Sequence, residues 1–313
     1  MNRSRTLVAS ALAVSAVLLT ACTPDPGSEP SADGGGDTSG ATEEVTIPEQ
    51  EVDQELHDAL PAEIRESGSM VSVNSGSFPP YTIVGSDDQV TGATADLATA
   101  LGQLLDVEIR HDTVDGLASV LSGMDAGRYD ISLGPVGDFT ERQQQATFVD
   151  WVQEFVVFAV PTGNPAGIED LDSTCGNRIA VQSAGSAEEV IKEQSTVCEE
   201  NGQEPIDVQS YRDQPQSVLA VQSGRADAFF SSQAPLTHFV EESGGELELA
   251  GTGQPNGFDN LYQGALVPRD SELADVLLAA FEELYANGTY EAIMTKWGLE
   301  ANMLEEPGIN LGS

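Results

Sequence analysis

The chain is short of cations. Of its 313 residues only 12 are Lys or Arg, and just two are Lys (Lys192 and Lys296), against 52 Asp and Glu. A surface this acidic repels polyanions, so no nucleic-acid partner is expected. The acids are spread along the chain, the pattern of general solvation rather than of one acidic patch. Adaptation to salty surroundings is one explanation. Histidine is scarce as well: His57, His111 and His238 lie far apart and share no ligand spacing, so no metal is expected. There is no Gly-x-Ser-x-Gly and no Cys/His pairing. No catalytic residue, no enzyme and no cofactor are therefore expected. Acid pairs such as Asp87-Asp88 and Glu282-Glu283 read as solvated faces. Beyond the first twenty residues no stretch is long and apolar enough to be a transmembrane helix.

What is present begins with an export signal over residues 1–21. Arg3 and Arg5 supply a positive start, and residues 7–19 are nearly all apolar, too short to span a bilayer comfortably. Leu19-Thr20-Ala21-Cys22 then resembles a bacterial lipobox, in which the Cys is acylated (diacylglyceryl, palmitate) and the peptide is cut before it. An ordinary secretory signal with an incidental Cys22 is the alternative. Two or three acyl chains exceed the one-chain limit for stable anchoring, so the mature protein is expected on the membrane. Cleavage would leave ten bases against the same 52 acids, a net charge of −42. Residues 22–48 are rich in Pro, Gly, Ser, Thr and acids and read as a disordered acidic tether. Cys175 and Cys198 are then an even pair in an exported chain and are expected to be bonded, with free thiols as the alternative.

The body alternates strand-like and helix-like segments. Residues 49–66 carry Val52, Leu56, Leu60 and Ile64 at helical spacing, interrupted by Pro61. Strands are expected over 70–73, 107–110, 129–133, 178–182, 206–210 and 227–230. Helices are expected over 96–105, 117–124, 186–194, 215–223 and 273–285, with a short one through Trp297. This alternation predicts an α/β architecture with mostly parallel sheets. Two continuous apolar runs, 155–160 before Pro161 and 261–267 before Pro268, suggest two crossings between two lobes. The expected division is lobe 1 over 49–158, lobe 2 over 159–260, and a return to lobe 1 over 261–313.

Ordered landmarks from about Gly68 to Gly298 resemble the family 3, polar amino-acid type, solute-binding proteins of bacterial ABC transporters. They are Phe78-Pro79-Pro80-Tyr81; Gly92 with Asp96-Leu97; Ala126 to Ile131; Thr140-Glu141-Arg142; Phe148-Val149-Asp150; Ile179 to Ser186; Gly224 to Ala228; and Gly288-Thr289-Tyr290 with Lys296-Trp297-Gly298. The resemblance implies a two-lobed periplasmic-binding-protein-like (type II) fold that hinges shut on a solute, an amino acid or related carboxylate. It further implies ABC permease subunits as partners, a monomer, and a place on the outer face of the cytoplasmic membrane. Arg142 matches the arginine that grips a ligand carboxylate; pairing with a surface acid is the plain alternative. Gly185 and Ser186 match the loop opening the second lobe's helix, where Ser186 could simply be an N-cap. Phe78 matches an aromatic that stacks on the ligand, or is a core residue. Pro135, Ser183 and three departures complete the implied site: Leu117 for an aromatic wall, Gly137 for a hydroxyl residue, and Ser232 where an acid usually holds the ligand ammonium. Two further departures are Ala187, where a hydroxyl is lost, and Phe139, where a Thr is usual. These departures leave the ligand open, and a ligand-sensing module without transport is the alternative function.

Overall fold

A computed structural model describes residues 45–313; the signal segment 1–21, Cys22 and the tether up to residue 44 lie outside the described residues. Ile47 already packs against the first core, and Gln50 bonds Gln103 and Thr289, so the end of the expected tether belongs to the folded body. The helix expected over 49–66 is two short ones, α1 (Gln54–Ala59) and α2 (Ala62–Ser67). Asp53 caps α1 through Oδ1, which accepts from Glu55 N and Leu56 N. Pro61 forces Leu60 to extended ψ 146° and breaks the helical run.

The first lobe continues through β1 (Ser69–Asn74), the small hairpin β2 (Ile83–Val84) and β3 (Val90–Thr91), α3 (Ala93–Leu105), β4 (Glu108–Thr113), α4 (Leu117–Asp125), β5 (Ser132–Gly137) and β6 (Ala146–Glu154). Helix α3 buries Leu97, Leu101, Leu104 and Leu105 on one face, the stripe its spacing predicts. Gly92 is required before it: a Cβ there, at φ +108°, would lie 2.3 Å from Tyr81 O.

The second lobe holds β7 (Val156–Pro161), β8 (Arg178–Gln182), α5 (Ser186–Glu200), β9 (Asp207–Tyr211), α6 (Gln214–Gln222), β10 (Ala228–Ser232), α7 (Gln233–Glu242) and β11 (Leu247–Ala250). Its sheet runs β11-β7-β10-β8-β9. The apolar run of β7 is buried on both faces: Val156, Phe158 and Val160 enter one core, Val157 and Ala159 the other. The Cys175–Cys198 disulfide, with Cα atoms 5.7 Å apart, ties the turn before β8 to α5. The chain returns on β12 (Leu261–Pro268), α8 (Leu273–Ala286), α9 (Thr289–Lys296) and β13 (Met303–Ile309).

Two expectations need correction. The sheets are mixed rather than mostly parallel: β1-β4 is parallel, but β13-β6-β12-β5 is antiparallel throughout, and β7 opposes both of its neighbours. The reason lies in the crossings. Strand β6 leaves the first lobe while β12 re-enters beside it, with Leu261 opposite Glu154, and neighbours running in opposite directions pair antiparallel. The change of sheet also falls at Phe155 rather than after residue 158, because all of β7 belongs to the second sheet.

Candidate ligand-binding cleft

One cavity lies between the lobes, and eight of the nine expected positions line it: Phe78, Leu117, Pro135, Gly137, Arg142, Gly185, Ser186 and Ser232. Ser183 is not among the lining residues; its N–H donates to Tyr211 O and continues the β8–β9 ladder. The departures Leu117 and Ala187 also face the cavity.

Arg142 opens a 3₁₀ turn after β5 and is 9 % exposed. Its Nη1 donates to Gly137 O at 2.9 Å and its Nη2 to Ala184 O, across the lobes, at 2.9 Å. Its guanidinium lies 5.1 Å from the Phe139 ring centroid. No carboxylate pairs with it among the described residues, which sets aside the surface ion pair. Burial works against its charge and lowers its pKa, with only the more distant fields of Glu189, Asp138 and Glu141 opposing. A guanidinium has five N–H donors; two are engaged, and three remain for an anion.

Gly137 and Phe139 are one change rather than two. A Cβ at Gly137 would stand 2.6 Å from the Phe139 ring and 3.3 Å from Arg142 Nη1. The ring occupies the space a side chain at 137 would need, so a bulky residue at 139 demands glycine at 137.

The second lobe contributes the start of α5. Its N-cap is Gly185, and no side chain caps it, so Ser186 is not the N-cap. Glu188 turns back instead: its carboxylate accepts from Ala184 N at 2.8 Å, takes the Ser210 hydroxyl, and pairs with Lys192 at 2.8 Å. Ala184 sits in the left-handed region at φ +61°, which aims its carbonyl at Arg142.

Amides that no sequence pattern had singled out line the same cavity. Gln214 Nε2 donates to Gln182 Oε1 at 2.8 Å, and Ser231 Oγ donates to Gln214 Oε1 at 3.1 Å. Gln263 Nε2 donates to Ser232 Oγ at 3.2 Å across the lobes, while Gln263 Oε1 is buried with no partner. All five line the cavity. A signal for Gln263 was available: it is the one amide inside the apolar run 261–267, and a buried polar residue in a strand calls for a reason. Gln182 ends β8 and Gln214 opens α6, and neither carries such a signal.

The crossings are braced. Glu154 is fully buried and accepts from the Tyr81 hydroxyl and from Phe155 N, with the N–H groups of Gln233 and Ala234 at the start of α7 close by. Burial pushes its pKa to about 7 against these neighbouring donors. Gln153 Nε2 donates to Asn260 Oδ1 at 3.0 Å, linking the outgoing and returning chain. Arg212 Nε meets Asp115 Oδ1 at 2.9 Å between the lobes. A second crevice also spans them: Pro80 and Trp297 of the first face Phe155, Gln233 and His238 of the second.

This architecture has known counterparts. The arginine-binding protein ArgT of Corynebacterium glutamicum is 30% identical over 260 residues, covering 82% of this chain and 83% of that one. The L-cystine-binding protein TcyJ of Escherichia coli is 24% identical over 240 residues, covering 75% and 84%. An ancestral arginine-binding protein bound to arginine superposes with a TM-score of 0.65 at 23% identity, covering 74% of this chain and 98% of its own, and shares the two-lobed type II fold. Residues 70–300 match the bacterial extracellular solute-binding proteins, family 3, and the chain belongs to that family.

Proposed function

We propose that the protein is the substrate-binding lipoprotein of an ABC importer, capturing an amino acid or related carboxylate between its lobes and delivering it to a membrane permease. The observation that carries this reading is Arg142: a buried guanidinium in the interlobe cavity, with no carboxylate of its own and three donors unengaged. A solute carboxylate there gains a bidentate, charge-assisted contact while the first turn of α5 faces the same space. Closure bends the chain at Phe155 and near Asn260, the two places where it passes between the sheets of the two lobes among the described residues. Acylated Cys22 holds the binder at the outer face of the cytoplasmic membrane, so captured solute stays near the permease.

Titration calorimetry over a panel of amino acids and small carboxylates tests the reading. The active ligand should lose at least about 30-fold in affinity on Arg142→Ala, since removing one partner of a buried charge pair costs roughly 2–5 kcal/mol. Unchanged affinity in that variant removes Arg142 from the site. For the anchor, Cys22→Ser should shift the protein from the membrane fraction to the medium; retention on the membrane refutes lipidation at Cys22.

A further inference from the structure

The cavity that receives Arg142 contains no counter-charge for a cation. Among the described residues, none of its lining positions is Asp or Glu; its polar side chains are amides and hydroxyls, with Arg142 as the one charge. Four acids near the lining in sequence are engaged elsewhere, Asp213 caps α6 by accepting from Gln216 N, and Glu141 beside Arg142 lies on the exposed surface. Glu188 holds Ala184 N, Ser210 and Lys192. Asp115 holds Arg212, and Glu154 is surrounded by Tyr81 and the start of α7. Asp138 accepts from Gln143 Nε2 and Gly312 N. None of Glu188, Asp115, Glu154 and Asp138 can turn to a ligand without breaking a bond the fold makes.

The charge balance then discriminates among solutes. A net anion cancels Arg142, and a zwitterion leaves the cavity at one positive charge. A solute with an additional cationic group leaves it at two, desolvated and opposed only by neutral dipoles. Gln263 Oε1 adds an independent observation. It is a buried acceptor with no partner, on a side chain lining the cavity, and it calls for a hydrogen-bond donor on the solute.

We propose that this cleft is built for a carboxylate solute whose other polar groups are uncharged (amide, urea or hydroxyl) apart from at most an α-ammonium, with Gln263 Oε1 receiving one of their donors, and that it rejects cationic side chains. The proposal rests on the cleft being the solute site. It runs against direct transfer of a ligand from the arginine-binding relatives, because the cavity lacks the negative group that a guanidinium requires when taken out of water.

The test uses solutes matched in shape. L-citrulline and L-arginine differ in a urea against a guanidinium, and glutamine and lysine extend the comparison. Calorimetry on the mature protein should show citrulline binding about tenfold or more tightly than arginine, and lysine more weakly than glutamine. Ser232→Asp, which puts a carboxylate beside Gln263, should raise arginine affinity more than citrulline affinity. Gln263→Leu should weaken the uncharged ligands. Arginine binding as well as citrulline overturns the proposal and leaves solute binding intact. Silence across the whole panel overturns the function and the proposal together.

Discussion

At the scale of single residues, the pair Asp138 and Asp150 is the most sensitive point outside the cleft. Asp150 is fully buried; its Oδ2 accepts from Leu311 N at 2.9 Å, and its Oδ1 has no hydrogen-bond partner. Burial first, then the charge of Asp138, push the Asp150 carboxyl to about 8. Because the folded value lies above the unfolded one, folding binds a proton. The contribution is complete below the ordinary carboxylate range and is lost as pH rises towards 8. Glu154, pushed to about 7, acts in the same direction. Melting temperature should therefore fall between about pH 5 and 8. Asp150→Asn, a neutral isostere of the protonated acid, should flatten part of that fall and raise the melting point at pH 8. A steeper fall in the variant contradicts the raised value at Asp150. The same pair binds residues 311 and 312 and, through Gln143, the turn that carries Arg142. None of this was legible beforehand: Asp150 was visible only as part of a family landmark, and its burial depends on a strand pairing contributed from the far end of the chain.

Among elements, helices and strands with a clean period were legible to within a few residues. Strand 178–182 and the helix beginning at Ser186 lie where their spacing puts them. Strands β6 and β13 were not read. Strand β6 is apolar on both faces but interrupted by Thr147, Asp150 and Gln153, which hides its alternation. Strand β13 reads as a polar tail because only its pairing with β6 orders it. That eight of the nine expected positions line one cavity follows from the ordered landmarks; the amides Gln182 and Gln214 carried no such mark, since glutamines at the ends of strands and helices are common. The disulfide belongs to this scale. Cys198 sits twelve residues along α5 from Ser186, about 18 Å away at the usual helical rise. Closing that loop contributes about 3 kcal/mol in the chain-entropy model. Replacing both cysteines by Ser should lower the melting point by roughly 6–12 °C for a chain this size while moving ligand affinity less than about twofold. A large affinity loss would show that the bond shapes the cleft as well as the lobe.

For the whole molecule, the dominant quantity is charge. The formal net charge is −40, with 12 cations available to offset 52 acids. Few of the ion pairs are buried, so self-repulsion is a general cost that salt screens. Raising KCl to about 1 M, where the screening length shrinks to about 3 Å, should raise the melting point at pH 7. A constant or falling melting point would show that the acids are already locally compensated. The inter-lobe pair Asp115–Arg212 is exposed and should weaken under the same conditions, loosening the lobes while each lobe gains stability. Salt dependence of ligand release and of unfolding should then have opposite signs.

The crevice beside the crossings gives this fold an optical reporter. The chain has two tryptophans. Trp151 is sealed in the first core between Tyr81 and Phe281, where lobe motion does not change its surroundings. Trp297 is held by Asp96 Oδ2 at 2.7 Å and lines the crevice opposite Phe155 and Gln233. Rotation of one lobe against the other changes the polarity around that indole alone. Intrinsic fluorescence of the unlabelled protein should therefore carry a ligand-dependent component from Trp297, and Trp297→Phe should abolish that component while leaving the Trp151 emission in place.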